Sequence, residues 1–170
     1  MKNDPADKSG KTTTRETEEW RRVGRQLSFA LYGAASRLIR LHRPFLEPLG
    51  LTYPQFLVML TLYDNTPRTV GDLGLELGMD NGTLTPLLKR LESAGLVTRT
   101  RDARDERRVM INLTEAGEAI REAACSIPEK IETATCRLCN LSSEDLAKFR
   151  DTLNGLGRSY SVQAPNSTAD

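Results

Sequence analysis

The chain has 170 residues, 38% hydrophobic and 28% charged, with 24 Lys+Arg against 23 Asp+Glu, which bounds it to one domain or to a small domain with arms that complete a partner subunit. No run approaches the roughly 18 apolar residues of a membrane-spanning helix and no apolar leader opens the chain, so a soluble cytoplasmic protein is expected. A formal net charge of +1 gives no bulk sign of a nucleic-acid binder, and cysteines confined to positions 125, 136 and 139 argue against a disulfide framework spread over the chain.

Residues 1–15, MKNDPADKSGKTTTR, are polar and read as a disordered arm. A first helix is expected from about Glu16 towards Pro44, in a segment spanning 16–50. Leu27, Leu31, Ala34, Leu38 and Leu41 repeat there at the three-and-four spacing of a buried stripe, and Pro44 and Pro48 are expected to break the pattern. Three short helices follow, each with a start signal. Thr52-Tyr-Pro-Gln55 has the capping-box form before FLVMLTLY, and Thr69-Val-Gly-Asp72 opens LGLEL. Asp80-Asn81-Gly82-Thr83 leads into LTPLLKRLESAG, where Gly95 supplies a stop and Pro86 lies near the first turn, the place where a missing amide costs least. The period then changes. LVTRTR at 96–101 is rich in strand formers, and in VMINL at 109–113 the residues Val109, Ile111 and Leu113 alternate onto one face, which predicts two antiparallel strands joined by the polar loop DARDERR. Thr114 caps a helix through Ala124 and beyond, bent or interrupted near Pro128. Ser142-Ser-Glu-Asp145 starts a last helix to about Tyr160, and residues 161–170 read as a disordered tail.

Short helix, turn, longer polar-faced helix and a thin ribbon with an arginine-rich tip are the parts, in order, of a winged helix-turn-helix over residues 51–113. The expected fold class is mainly α with a small β wing. A helix fits the major groove of duplex DNA, where its N-terminal side chains meet base edges, and an arginine on a narrow hairpin reaches the electronegative minor groove. Asn81, Thr83, Thr85, Lys89 and Arg90 offer short donors at the start of the candidate recognition helix and cations further along. Between Asn81 and Arg108, seven basic residues meet four acidic ones, which allows a local positive patch on a nearly neutral protein. Surface cations on a capped helix are ordinary, and a charged hairpin is often only a solvated turn; it is the order of the elements that points to DNA.

TYPQFLVMLTL, the GTLTPLLKRLESAGLVTRTR block and the wing DERRVMINLTEAG resemble the MarR family of dimeric winged-helix regulators over about residues 20–160. FALYGAASRL followed by RPFLEPLGLTYPQF is similar to its organic-hydroperoxide-sensing branch, OhrR. The resemblance implies a symmetric homodimer built from the first helix and the C-terminal helices of residues 114–160. It also implies a repressor that leaves a pseudopalindromic operator when a thiol is oxidised by an organic hydroperoxide or related oxidant. It places the recognition helix at Asn81, Gly82, Thr83, Thr85 and Arg90 and the wing tip at Asp105 and Arg107, with Arg104 beside them among the DNA-facing cations. In such families the wing aspartate orients the arginine that enters the minor groove, as a long donor needing one fixed direction requires. The bland alternative is that Asp105 and Arg107 only pin the hairpin.

Residues Ser28, Tyr32, Ala35, Ile39 and His42 fall on one helix face, so a hydroxyl, a phenol and an imidazole line up beside the apolar stripe. Polar core groups that satisfy one another would give the same pattern. The resemblance puts the peroxide-reactive cysteine of the branch at Ser28 and its hydrogen-bonding tyrosines at Tyr32 and Tyr53, with a third tyrosine replaced by His42. A serine hydroxyl is not oxidised to a sulfenic acid. Either a deliberate cysteine-to-serine change locks a reduced-like state, or a natural chain has lost or moved its sensor; the pocket residues otherwise in place favour the first. Cys136 and Cys139 form a C-x-x-C in the part of the chain where two-cysteine members carry a resolving cysteine, and either fits that role, whereas Cys125 reads as a packed thiol. With one histidine, zinc would need a metal shared by a dimer, so no metal or cofactor is expected. Two rivals to the oxidant-sensing repressor stand beside it: a MarR-type repressor released by a small phenolic or anionic ligand, and a thiol peroxidase, for which no further catalytic constellation is present. No catalytic residue is therefore assigned, and an enzyme is not expected.

Overall fold

The structure is a computed structural model describing residues 22–102, 105 and 107–162. The arm expected at 1–15, the helix start expected at Glu16, Arg104 and the tail from residue 163 onward lie outside the described residues. The chain divides into two units, residues 1–43 and 44–170, which are taken separately.

In the first unit a short 3-10 turn, Val23–Arg25, leads into helix α1, Leu27–Leu46, which runs on across the division. Pro44 does not break this helix. It sits in the last turn, where a fixed helical φ is tolerated and the missing amide forgoes a single bond to the carbonyl four residues back. Pro48 instead belongs to the 3-10 turn Glu47–Leu49, which Gly50 ends at φ 66°, a left-handed conformation that favours glycine. Among the described residues the apolar stripe is not buried: Leu27 is 63% exposed and Leu38 is exposed too, as is Ile39 beside it, while Leu31 and Leu41 are half-buried. Periodicity records that a face needs cover, not that its own chain supplies it.

The second unit holds the winged helix. Helix α2, Tyr53–Asp64, starts at Thr52, whose amide donates to the Gln55 side chain at 2.9 Å in the expected capping box. Strand β1, Arg68–Thr69, comes next, and then helix α3, Val70–Leu77, capped by Thr69, whose hydroxyl accepts from the Asp72 amide at 3.1 Å. Helix α4, Asn81–Ser93, is capped by Asp80 and stops before Gly95 at φ 73°. Pro86 lies in its interior, beyond the first turn expected from the sequence, so the Gly82 carbonyl lacks the usual donor four residues on. Strands β2, Val97–Arg101, and β3, Val109–Leu113, pair antiparallel with Arg99 opposite Ile111. The sheet has three strands rather than the expected two, in the order β1-β3-β2, because Arg68 and Thr69 pair with Ile111 and Met110. Leu84, Leu88 and Leu91 turn the inner face of α4 into the core, where they are fully buried with Phe56, Leu62, Leu73 and Ile111.

The helix expected after Thr114 is broken twice, into α5, Glu115–Ala119, α6, Arg121–Cys125, and α7, Ile127–Cys139, with Pro128 in the first turn of the last. Helix α8, Ser143–Val162, extends two residues past Tyr160, so residues 161 and 162 are helical rather than part of the expected tail. Gly117 ties these helices to the winged helix. A Cβ there would sit 2.1 Å from the Leu96 carbonyl oxygen, so only glycine lets the two backbones approach. Its amide donates to the Thr114 hydroxyl at 3.0 Å, and its carbonyl accepts the buried Tyr63 hydroxyl at 2.8 Å. Arg121 covers the Tyr63 ring, 5.0 Å from its centroid, and donates to the Tyr63 carbonyl at 3.0 Å. Burial pushes the Tyr63 phenol up to about 12; nearby Cys125 and Glu118 add to the shift and Arg121 opposes it. Among the described residues no helix is long and apolar enough to cross a membrane.

Candidate functional site

The first turn of α4 is held open to solvent by its cap. One Asp80 carboxylate oxygen accepts the Thr83 amide at 2.7 Å and the other accepts the Thr83 hydroxyl at 3.3 Å, so the charge that closes the helix start also orients a side chain at its rim. Asn81, Gly82 and Thr83 are exposed there, and Thr85 is half-buried. Gly82 keeps the first turn free of bulk; a Cβ would already meet Asp80 Oδ1 at 3.1 Å. Lys89 and Arg90 are exposed further along, on the opposite side from Leu84, Leu88 and Leu91. One helix thus presents short polar groups at its N-terminus and cations beyond them, with its apolar face fixed in the core.

The wing is closed by backbone bonds from the Asp102 amide to the Arg108 carbonyl and from the Arg108 amide to the Asp105 carbonyl, both 2.9 Å. At its tip, the Arg107 amide donates to Asp105 Oδ1 at 3.1 Å, and the guanidinium Nε donates to the same oxygen at 3.3 Å. The Arg107 side chain is 93% exposed. The structure therefore brings Asp105 and Arg107 together as a tethered, outward cation. Arg101 and Arg108, two of the seven basic residues between Asn81 and Arg108, are also exposed on the wing. Strand alternation gives no signal for Arg101, which shares the face of buried Val97 and half-buried Arg99, the latter 3.5 Å from Glu92, and is exposed as the last residue of β2. Asp72, at the start of α3, has its carboxyl held below the ordinary range chiefly by the Thr69 hydroxyl hydrogen bond, with Arg108 and Arg68 contributing.

Ser28 and Tyr32 lie one turn apart on the same face of α1, both exposed; Tyr32 is 72% exposed. His42 shares that face but follows Ser28 by fourteen residues of continuous helix, which at about 1.5 Å per residue places it roughly 21 Å away. Within one chain the two are therefore far apart along the helix. His42 is buried, and its Nδ1 donates to the Leu38 carbonyl at 2.8 Å. Tyr53 belongs to the other unit; it is half-buried in the first turn of α2, and burial pushes its phenol up. In the C-terminal helices, Cys136 is half-buried with its Sγ 4.0 Å from the Ser143 hydroxyl, and Cys139 is exposed as the last residue of α7. Cys125 is exposed at the end of α6 rather than packed. Its neighbour Ala124 fills the inward position, and successive helical residues do not share a face. Among the described residues, no group of three His, Cys, Asp or Glu side chains is placed to hold a metal ion.

A family model described as the transcriptional regulator SarA/Rot matches residues 40–123. The chain is 42% identical over 128 residues to the organic hydroperoxide resistance transcriptional regulator of Bacillus subtilis, covering 75% of this chain and 84% of that one. Its structure is similar to reduced AbfR bound to DNA, a protein of Staphylococcus epidermidis, with a TM-score of 0.68, 31% identity and coverage of 85% of this chain and 99% of that one. It is similar also to a cysteine-to-serine mutant of MarR from E. coli complexed with operator DNA, with a TM-score of 0.69, 28% identity and coverage of 76% and 92%.

Proposed function

The chain belongs to the MarR-type family of winged-helix transcriptional regulators, and from that premise we propose that it is a homodimeric repressor of a pseudopalindromic operator. The observation that carries the reading is the pairing of two devices on one unit: the solvent-facing first turn of α4, and an arginine held outward at the wing tip by Asp105. The first suits base edges in the major groove and the second the minor groove. A dimer doubles these contacts and compensates for a net charge of only +1. The exposed apolar stripe of α1 is the natural surface for the second subunit. Fluorescence anisotropy with a labelled operator duplex at increasing salt tests the docking. Affinity is expected to fall steeply, and Arg107→Ala to weaken binding by about tenfold or more; affinity that stayed flat with salt would contradict the reading.

The relatives compared above are regulators rather than enzymes, and the closest chemistry in their names is resistance to organic hydroperoxides in the Bacillus protein. The signal assigned here is likewise an organic hydroperoxide or related oxidant, but position 28 is locked against it, since a serine cannot enter the thiol oxidation ladder. The distance along α1 from Ser28 to His42 means that a sensing pocket using both draws them from different subunits. Ser28→Cys in a chain whose three native cysteines are replaced by serine isolates the position. Peroxide is expected to convert Cys at 28 to a trappable sulfenic acid and to release the operator. Release by a phenolic or anionic compound, with no response to peroxide, supports the ligand-released alternative instead, which the serine itself favours.

A further inference from the structure

We infer that Cys136 and Cys139 form a peroxide-reactive dithiol that closes a disulfide within one chain at the α7–α8 corner, a seat for oxidant response independent of residue 28. This rests on the regulator reading above only for its effect on DNA. The two residues are three apart in the last turn of α7, a spacing that puts them on one helix face. In the single chain Cys139 is exposed and Cys136 half-buried, which leaves both open to a small oxidant there.

Side chains three apart on a helix have Cβ atoms about 5–6 Å apart, whereas a disulfide needs roughly 3.5–4.5 Å. In the middle of a helix that gap would hold the pair open. Here only Cys139 has to move, because the next residue has already left the helix: Asn140 adopts φ 52°, ψ 44°. The amides of Asn140 and Leu141 both donate to the Cys136 carbonyl, the latter at 3.0 Å. Tightening the turn to form the S–S bond pulls on the carbonyl that fixes this corner and so redirects the chain into α8. The Ser143 hydroxyl, at the first residue of α8, lies 4.0 Å from Cys136 Sγ, a contact in which either atom can donate. Cys136, with this polar neighbour, is assigned as the attacking thiol and Cys139 as the resolving one.

The chemistry balances with an organic hydroperoxide as the oxidant. The Cys136 sulfur attacks the terminal peroxide oxygen and the O–O bond breaks; the sulfur keeps the hydroxyl as a sulfenic acid, and the alcohol leaves with the thiol proton. The Cys139 thiol then attacks the sulfenic sulfur. An S–S bond forms, the S–O bond breaks and water departs, so two thiols are oxidised by two electrons while the peroxide is reduced to alcohol and water.

The test uses the full chain, reduced and then treated with one equivalent of cumene hydroperoxide, together with Cys125→Ser, Cys136→Ser and Cys139→Ser. The unsubstituted chain and Cys125→Ser should each lose about 2 Da per subunit, remain monomeric on a non-reducing gel, and yield a peptide linking Cys136 to Cys139. Cys139→Ser should stop at a dimedone-trapped sulfenic acid on Cys136, and Cys136→Ser should form no intrachain link. Operator affinity of the oxidised chain should fall by about tenfold or more and recover with dithiothreitol. An unchanged mass, or a link between two subunits, overturns the inference. Failure of the reduced protein to bind any operator overturns the regulator reading instead, and the mass readout separates the two.

Discussion

The winged helix and helix α1 treat similar apolar residues in opposite ways. In the winged helix, Leu84, Leu88 and Leu91 of α4 are fully buried within one chain, and each short helix is closed by its own cap. In α1, Leu27 and Leu38 belong to a stripe of comparable helical spacing yet remain exposed. The same pattern thus builds a self-sufficient core in one place and a surface in want of a second molecule in the other. The teaching is that amphipathicity sets which face is apolar, while the tertiary surroundings decide who covers it.

The sharpest way to break this contrast is Leu88→Ala. Removing a side chain with no exposed surface from a core without other support should lower unfolding stability by about 2–5 kcal/mol, read by denaturant titration. A loss near zero would mean that α4 is not held as described. Gly117→Ala comes next, with an expected cost of about 1–3 kcal/mol, because the new Cβ meets the Leu96 carbonyl and the backbone itself must give way. Leu27→Ser probes the other side. It should weaken self-association by about tenfold in sedimentation experiments while changing the unfolding of the isolated chain by less than ~0.5 kcal/mol; the reverse outcome would put α1 in a core of its own chain. The smallest effect concerns pH. The folded Asp72 carboxyl titrates below its unfolded value, so its contribution is present above the ordinary carboxylate range and is lost as pH falls through the lowered value. Asp72→Asn should flatten that part of the acid-stability curve by lowering stability slightly at neutral pH, where the carboxylate contributes, and leaving the most acidic range nearly unchanged.

Local chemistry explains what could be read from the sequence. Thr52, Thr69, Asp80 and Thr114 announce helix starts through groups acting within three residues: the last three accept a backbone amide on their side chains, and Thr52 is tied to the Gln55 side chain. The wing was legible through the alternation around Ile111. Strand β1 was not, since two residues carry no period and Arg68 and Thr69 become a strand only by pairing with residues more than forty positions away. The break at Ile120 also gives no local sign; it lies among the residues that bring Gly117 and Arg121 to Tyr63. The solvent exposure of Asn81, Gly82, Thr83, Lys89 and Arg90, proposed to face DNA, was legible because the cap and the apolar spacing of α4 fix which side chains point outward. The proposed sensing face was only half legible: a helical wheel shows Ser28 and His42 on one side but hides the rise that separates them.

The bond between Arg107 and Asp105 also bears on how an operator is found. Under the proposed docking, Asp105 holds the arginine before any duplex arrives, so the side chain would surrender little rotameric freedom on insertion, and the carboxylate would temper its pull on phosphates elsewhere. On a chain of net charge +1, random DNA is then a poor resting place. Under the proposed docking, stays on it should be short, and search should proceed by frequent release and fresh encounter in three dimensions more than by sliding along the duplex.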